Sequence, residues 1–132
     1  RSAPSSTNSS WGGDIALVGE RTNPLPYVAA ADLFVLTSRN EGLPVALLEA
    51  MGLGTPIVST DALSGPRYAL QDGRGGLITP VGDAAALASA IDRMLGDPTL
   101  SGRLAAISRK RADDFSPAHV ATQYLDLADA LQ

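Results

Sequence analysis

Three short runs constrain this chain more than anything else in it. "LFVLT" covers residues 33–37, "PIVST" 56–60 and "GLITP" 76–80. The first is continuously apolar, as expected of a parallel strand covered on both faces. Parallel strands cannot be joined by a tight hairpin and need a longer crossover, usually helical. The intervening residues supply one. "PVALLEAMGLG" (44–54) begins with Pro, which suits a first helical turn, continues in helix formers and ends in glycines. "GPRYALQDG" (65–73) reads as a short helix stopped by Gly73. Upstream, "DIALVG" (14–19) reads as a further strand, and "NPLPYVAAAD" (23–32) offers a helical stretch from Tyr27 to Ala31. Past residue 80 the chain turns helical. Asp83 is a good N-cap for "AAALASAIDRML", which puts Leu87, Ile91 and Leu95 on one face. Asp97-Pro98 and Ser116-Pro117 open two more helices. The expected fold class is α/β: a Rossmann-like parallel sheet with flanking helices and a helical C-terminal end.

Length and charge then narrow the function. The chain has 132 residues, enough for one domain with a core. We place that domain at residues 13–132 and read residues 1–12 as a Ser-rich flexible lead. The formal net charge is −4, which argues against a nucleic-acid partner. The absence of cysteine excludes disulfide scaffolds, thiolate metal sites and Cys nucleophiles. No apolar run approaches the ~20 residues of a membrane span, and no secretory h-region is visible, so a cytoplasmic location is the default. "RKR" at 109–111 reads as a solvated helix end, and His119 as a surface histidine.

Ligands of open parallel sheets bind outside the carboxyl ends of the strands. Ser38 to Leu43 leave one such end, and Asp61 to Pro66 leave another, so both loops are expected at the same edge. Gly42, Leu43 and Pro44 sit where a helix begins, and free amides there favour an anion. Glu41 beside that anion would accept hydrogen bonds from ligand hydroxyls. Glu49, a lone charge in an apolar helix, could hold a diol such as a ribose by accepting two. Anion, hydroxyls and diol together describe a nucleotide sugar. On spacing alone, a solvated Glu41 and a Glu49 on the wet stripe of an amphipathic helix remain open.

The flanking residues add a resemblance. Asp32, Ser38, Glu41-Gly42-Leu43-Pro44, Glu49-Ala50-Met51, Gly54-Thr55-Pro56 and Val58 follow the pattern of the retaining glycosyltransferases of the GT-B fold, group 1 family. The two glutamates with seven residues between them are that family's signature, and Gly76 and "PVGD" also match. The resemblance implies that Glu41 is the catalytic-site residue touching the donor sugar near its reacting carbon. It also implies donor contacts from Gly42, Leu43, Pro44 and Val45, with Pro44 contributing no N–H, and ribose contacts from Glu49. Backbone around Val18 and Gly19 would meet the base. "SGPR" at 64–67 matches a branch of the family in which an acid follows, and Tyr68 stands in its place here.

The resemblance covers part of a nucleotide-sugar-binding domain, the C-terminal half of a GT-B fold. The elements that usually clamp the diphosphate and the acceptor-binding half have no counterpart in these residues. The implied chemistry is front-face transfer of a sugar with retention, from a nucleotide diphosphate sugar to a saccharide or lipid-linked acceptor. No cofactor is expected. No metal is expected either, because no Asp-x-Asp pair occurs. Peripheral membrane contact would have to come from parts outside this sequence, and strands without their usual neighbours are expected to drive self-association. Two other readings stay open: a non-enzymatic nucleotide-sugar-binding or oligomerisation module, and another GT-B enzyme such as a sugar-nucleotide epimerase.

Overall fold

The computed structural model describes residues 13–131 apart from Ser64. The flexible lead expected at 1–12 lies outside those residues. Three parallel strands form the sheet in the order β1 (Phe34–Leu36), β2 (Ile57–Thr60), β3 (Leu77–Thr79). Phe34 stands opposite Ile57, and Val58 opposite Leu77. The helices are α1 (Leu25–Ala30), α2 (Val45–Leu53), α3 (Gly65–Ala69), α4 (Ala84–Gly96), α5 (Pro98–Ala112) and α6 (Pro117–Ala130), with a 3-10 turn at Asp113–Phe115.

Burial is greatest on the central strand, whereas the continuously apolar β1, expected to be covered on both faces, is half-buried at the sheet edge. All four residues of β2 are buried, and alternate side chains serve opposite faces. Ile57 packs with Leu47, Ala50 and Met51 of α2 and with Ala69 and Leu70. Val58 packs on the other side with Ala90 and Met94 of α4 and Leu100 and Leu104 of α5. Burying a Leu or Met of this size contributes about 1.5–3 kcal/mol each. Gly54 ends α2 in the left-handed conformation (φ 72°), which a residue with a Cβ adopts only at a cost. It aims the chain back into β2, and Thr55 Oγ1 donates to the Val28 carbonyl at 2.9 Å, tying in α1.

Three further expectations about these elements need correction. Residues 14–19 form no strand, and Ile15, Leu17 and Val18 are exposed. A strand persists only with a hydrogen-bonded neighbour, and none of the described residues pairs with this segment. The helix read at 65–73 ends at Ala69 because Gln71 and Asp72 take left-handed backbone angles (φ 52° and 58°) before Gly73 is reached. In α4, Leu95 is exposed while Ala90 and Met94 are buried. Steps of four residues drift about 40° each around a helix, so the third member of an i, i+4, i+8 set leaves the face that the first occupies.

The helical tail is capped as its sequence indicates. The side chains of Asp83, Asp97 and Ser116 accept from the amides of Ala86, Leu100 and His119. His119 is exposed, as expected. Among the described residues no helix is long and apolar enough to cross a membrane.

Candidate functional site

The loop from β1 to α2 is braced from the neighbouring strand. Thr60, the last residue of β2, donates its hydroxyl to the Ser38 carbonyl at 2.5 Å. Ser38 in turn donates its own hydroxyl to Glu41 Oε1 at 2.6 Å. Glu41 is half-buried and has no other hydrogen-bond partner among the described residues. Its carboxylate is therefore oriented by one bond and keeps acceptor capacity for a ligand.

Beside it α2 begins. Pro44 is its N-cap with extended backbone and no side-chain cap. The Pro44 carbonyl accepts from the amides of Leu47 and Leu48. The amides of Gly42, Leu43, Val45 and Ala46 have no acceptor among the described residues. Free amides and the positive end of the helix dipole meet here. Glu49 lies four residues after Val45, so the two share a helix face that starts at this open end. Val45 is exposed, Glu49 is half-buried, and the Glu49 carboxylate has no hydrogen-bond or ion-pair partner among the described residues. Glu41, Gly42, Leu43, Pro44, Val45 and Glu49 thus come from one continuous loop and helix at the carboxyl edge of the sheet. Val18 and Gly19 belong to a different segment of the chain, before α1. Both are exposed, and no hydrogen bond links 13–19 to this loop.

The loop after β2 reaches the same edge. Asp61 takes two hydrogen bonds from Arg67, Nε to Oδ1 at 3.1 Å and Nη2 to Oδ2 at 2.6 Å. The Arg67 hydrogen bonds hold the Asp61 carboxyl below its usual pKa, and the charge of Arg67 adds to that. Arg67 also reaches Asp72 at 3.5 Å. The first residue of α3, Gly65, packs so tightly on the Glu41–Gly42 backbone that a Cβ on it would overlap the Gly42 carbonyl. Sequence reasoning put both loops at one edge but named neither Gly65 nor Thr60 as part of the site. A Gly before Pro and Arg at the start of a helix was the only signal for the first, and nothing marked the second.

A cleft of about 200 Å³ continues this edge between the exits of β1 and β3. Thr37, Arg39 and Thr60 line one side, and Gly82, Asp83 and Leu87 the other. Arg39 is exposed and has no ion-pair partner among the described residues. Among those residues no cluster of three His, Asp or Glu is placed to hold a metal ion.

A sequence profile of the glycosyl transferases group 1 matches residues 4–97. The chain belongs to this family. A lipopolysaccharide core biosynthesis glycosyltransferase of Rhizobium meliloti is 35% identical over 116 residues, which cover 87% of this chain and 34% of that protein. Among solved structures, sucrose-phosphate synthase from Thermosynechococcus elongatus superposes with a TM-score of 0.70 at 33% identity, over 80% of this chain and 26% of that one. HepE from Anabaena, solved in complex with UDP, gives a TM-score of 0.71 at 25% identity, over 79% of this chain and 29% of that one. The fold of this glycosyltransferase-family chain is therefore the Rossmann-like sheet of the GT-B enzymes, with helices on both faces. It spans about a third of the length of the Rhizobium relative.

Proposed function

We propose that this chain forms the donor side of a retaining glycosyltransferase, which moves a sugar from a nucleotide diphosphate to a saccharide or lipid-linked acceptor. One observation carries the reading. The Ser38-braced carboxylate of Glu41 stands next to the open amides of Gly42, Leu43 and Val45, at the edge where sheets of this kind bind ligands. In this reading Glu41 accepts hydrogen bonds from donor-sugar hydroxyls near the anomeric carbon. The amides take the sugar and diphosphate oxygens, and Glu49 accepts from both ribose hydroxyls. The backbone at Val18 and Gly19 meets the base.

The reaction asks little nucleophilicity of the protein. The bond from the anomeric carbon to the diphosphate oxygen breaks as the acceptor oxygen bonds on the same face. The acceptor proton passes to the departing phosphate oxygen. Stabilising the charge on that leaving group is the main demand, and preoriented amides meet it without reorganising. We assign no cofactor and no metal to the step. The UDP held by the HepE structure supports a nucleoside diphosphate ligand. The lipopolysaccharide-core role in the name of the Rhizobium relative supports a saccharide acceptor and polysaccharide biosynthesis. We place the protein in the cytoplasm and expect any membrane contact to be peripheral.

Calorimetric titration with UDP, GDP and ADP, with amide shifts followed by NMR, tests the binding half. Shifts clustered at residues 41–49 are expected. No heat from any nucleotide, or shifts only at the opposite edge of the sheet, would sink the reading. Transfer from a radiolabelled donor by a longer polypeptide carrying these residues tests the chemistry.

A further inference from the structure

The basic run at 109–111 is a solvated helix end at its first two residues and not at its third. Arg109 and Lys110 are exposed, but Arg111 turns inward with its side chain only 15% exposed. Its guanidinium carbon lies 4.9 Å from the centre of the Tyr68 ring and 4.8 Å from that of Phe115. The two rings meet edge to face at 82°, with centres 5.9 Å apart. Nη1 donates to Asp114 at 2.7 Å, and Nη2 approaches the Tyr68 carbonyl at 3.4 Å. Burial opposes the charge on Arg111, yet its contacts with Asp114 and Tyr68 outweigh that and hold the group above its usual value.

These contacts matter because of what lies at the other end of α3. That helix has five residues, too few to persist alone. Its first residue, Gly65, is seated on the Gly42 carbonyl, and Arg67 ties its middle to Asp61. Arg111 grips the residue that follows, through both the ring and the carbonyl of Tyr68. We propose that Arg111 is a positioning residue for the loop at Glu41–Val45, acting through α3. It touches no ligand. It holds Gly65 against Gly42, and so fixes the spacing of the open amides beside Glu41. The proposal rests on the donor-site reading only for its functional consequence; the mechanical link stands on the packing. Only a planar cation can face two rings while donating in two directions, so lysine is an incomplete substitute.

Hydrogen exchange, followed well below the unfolding midpoint, reads the link directly, since exchange there reports local opening. Arg111→Met should speed exchange at Leu47 and Leu48, the first amides of α2 that have an acceptor, by about 2- to 30-fold and weaken UDP binding by a similar factor. Arg111→Lys should recover part of both. The control is Leu104→Ala, also on α5, which opens a cavity under β2. It should lower the midpoint at least as far and leave both readouts at wild-type values. Wild-type exchange at Leu47 and Leu48 in Arg111→Met, or equal acceleration in the control, overturns the proposal. Loosening at Leu47 and Leu48 in a chain whose wild type binds no UDP or GDP upholds the mechanical link and overturns the donor reading instead. If Arg111→Met does not fold, Tyr68→Ala, which removes a ring from a residue that is 62% exposed, runs the same test.

Discussion

Gly65 meets the carbonyl oxygen of Gly42 so closely that no Cβ fits between them. Two loops that leave different strands are thereby locked together at the sheet edge. The contact is asymmetric, since a Cβ built on Gly42 would meet nothing within 4 Å.

That asymmetry predicts unequal alanine variants. Gly65→Ala forces backbone apart and should cost about 1–3 kcal/mol, as other overpacking substitutions do. Gly42→Ala should stay within about 0.5 kcal/mol, like an ordinary surface change. Urea denaturation of both measures the difference. Equal costs would show that the two loops do not depend on this contact.

Glu49→Gln separates a ligand role from a structural one. The carboxylate has no protein partner among the described residues, so stability should move by no more than about 0.5 kcal/mol. Binding of the nucleotide should fall by about 1.5–3 kcal/mol, or roughly 10- to 150-fold, because charged hydrogen bonds to the ribose are lost. Unchanged affinity with a raised melting temperature would identify Glu49 as an unpaired structural carboxylate.

An anion should settle on the amides of Gly42 and Leu43. Crystals soaked in sulfate or in a nucleoside diphosphate test this by direct density. Density at the amino-terminal edge of the sheet, and none here, contradicts the assignment.

The Asp61–Arg67 pair sets a pH dependence of known sign. The folded carboxyl titrates below its ordinary value of 3.8, chiefly because Arg67 hydrogen-bonds its ionised form. Its contribution to stability is therefore complete above the unfolded value and fades as pH falls through the lower, folded value. The stability gap between wild type and Asp61→Asn should be constant near neutrality and narrow below about pH 4. Urea unfolding across pH 2–7 checks this, and a gap that widens in acid contradicts the pairing. Arg67 is exposed and Asp61 only half-buried, so solvent screens the pair and the gap itself should be small.

Self-association is expected of the isolated 132-residue chain. The outer edge of β1 has no strand partner among the described residues, and α6 exposes Tyr124, Leu125 and Leu127. Unpaired edges and apolar faces recruit other chains. Sedimentation over a range of concentrations measures it. A monomer at every concentration removes the expectation.

The sequence alone was enough for the three strands of the sheet, the presence of the helices that join them and the loop proposed to carry the site. Burial was less legible: β2 is buried throughout although Ser59 and Thr60 are polar, while the continuously apolar β1 is only half-buried at the sheet edge. Helix starts were legible at Asp83, Asp97 and Ser116, because a cap is a contact between residues three apart and needs no tertiary partner. That Glu41 and Glu49 lie on one loop-helix segment was legible because their relation is local. What the sequence could not determine is everything that depends on a partner distant in the chain. The apolar run 14–19 has a strand's composition and no strand beside it. Thr60 braces Ser38 from 22 residues away, and Arg111 reaches Tyr68 across 43. Composition marks what a residue can do with water and with its near neighbours. Packing alone decides which distant groups it meets, and here it brought Thr60 to Ser38 beside Glu41 and Arg111 to Tyr68.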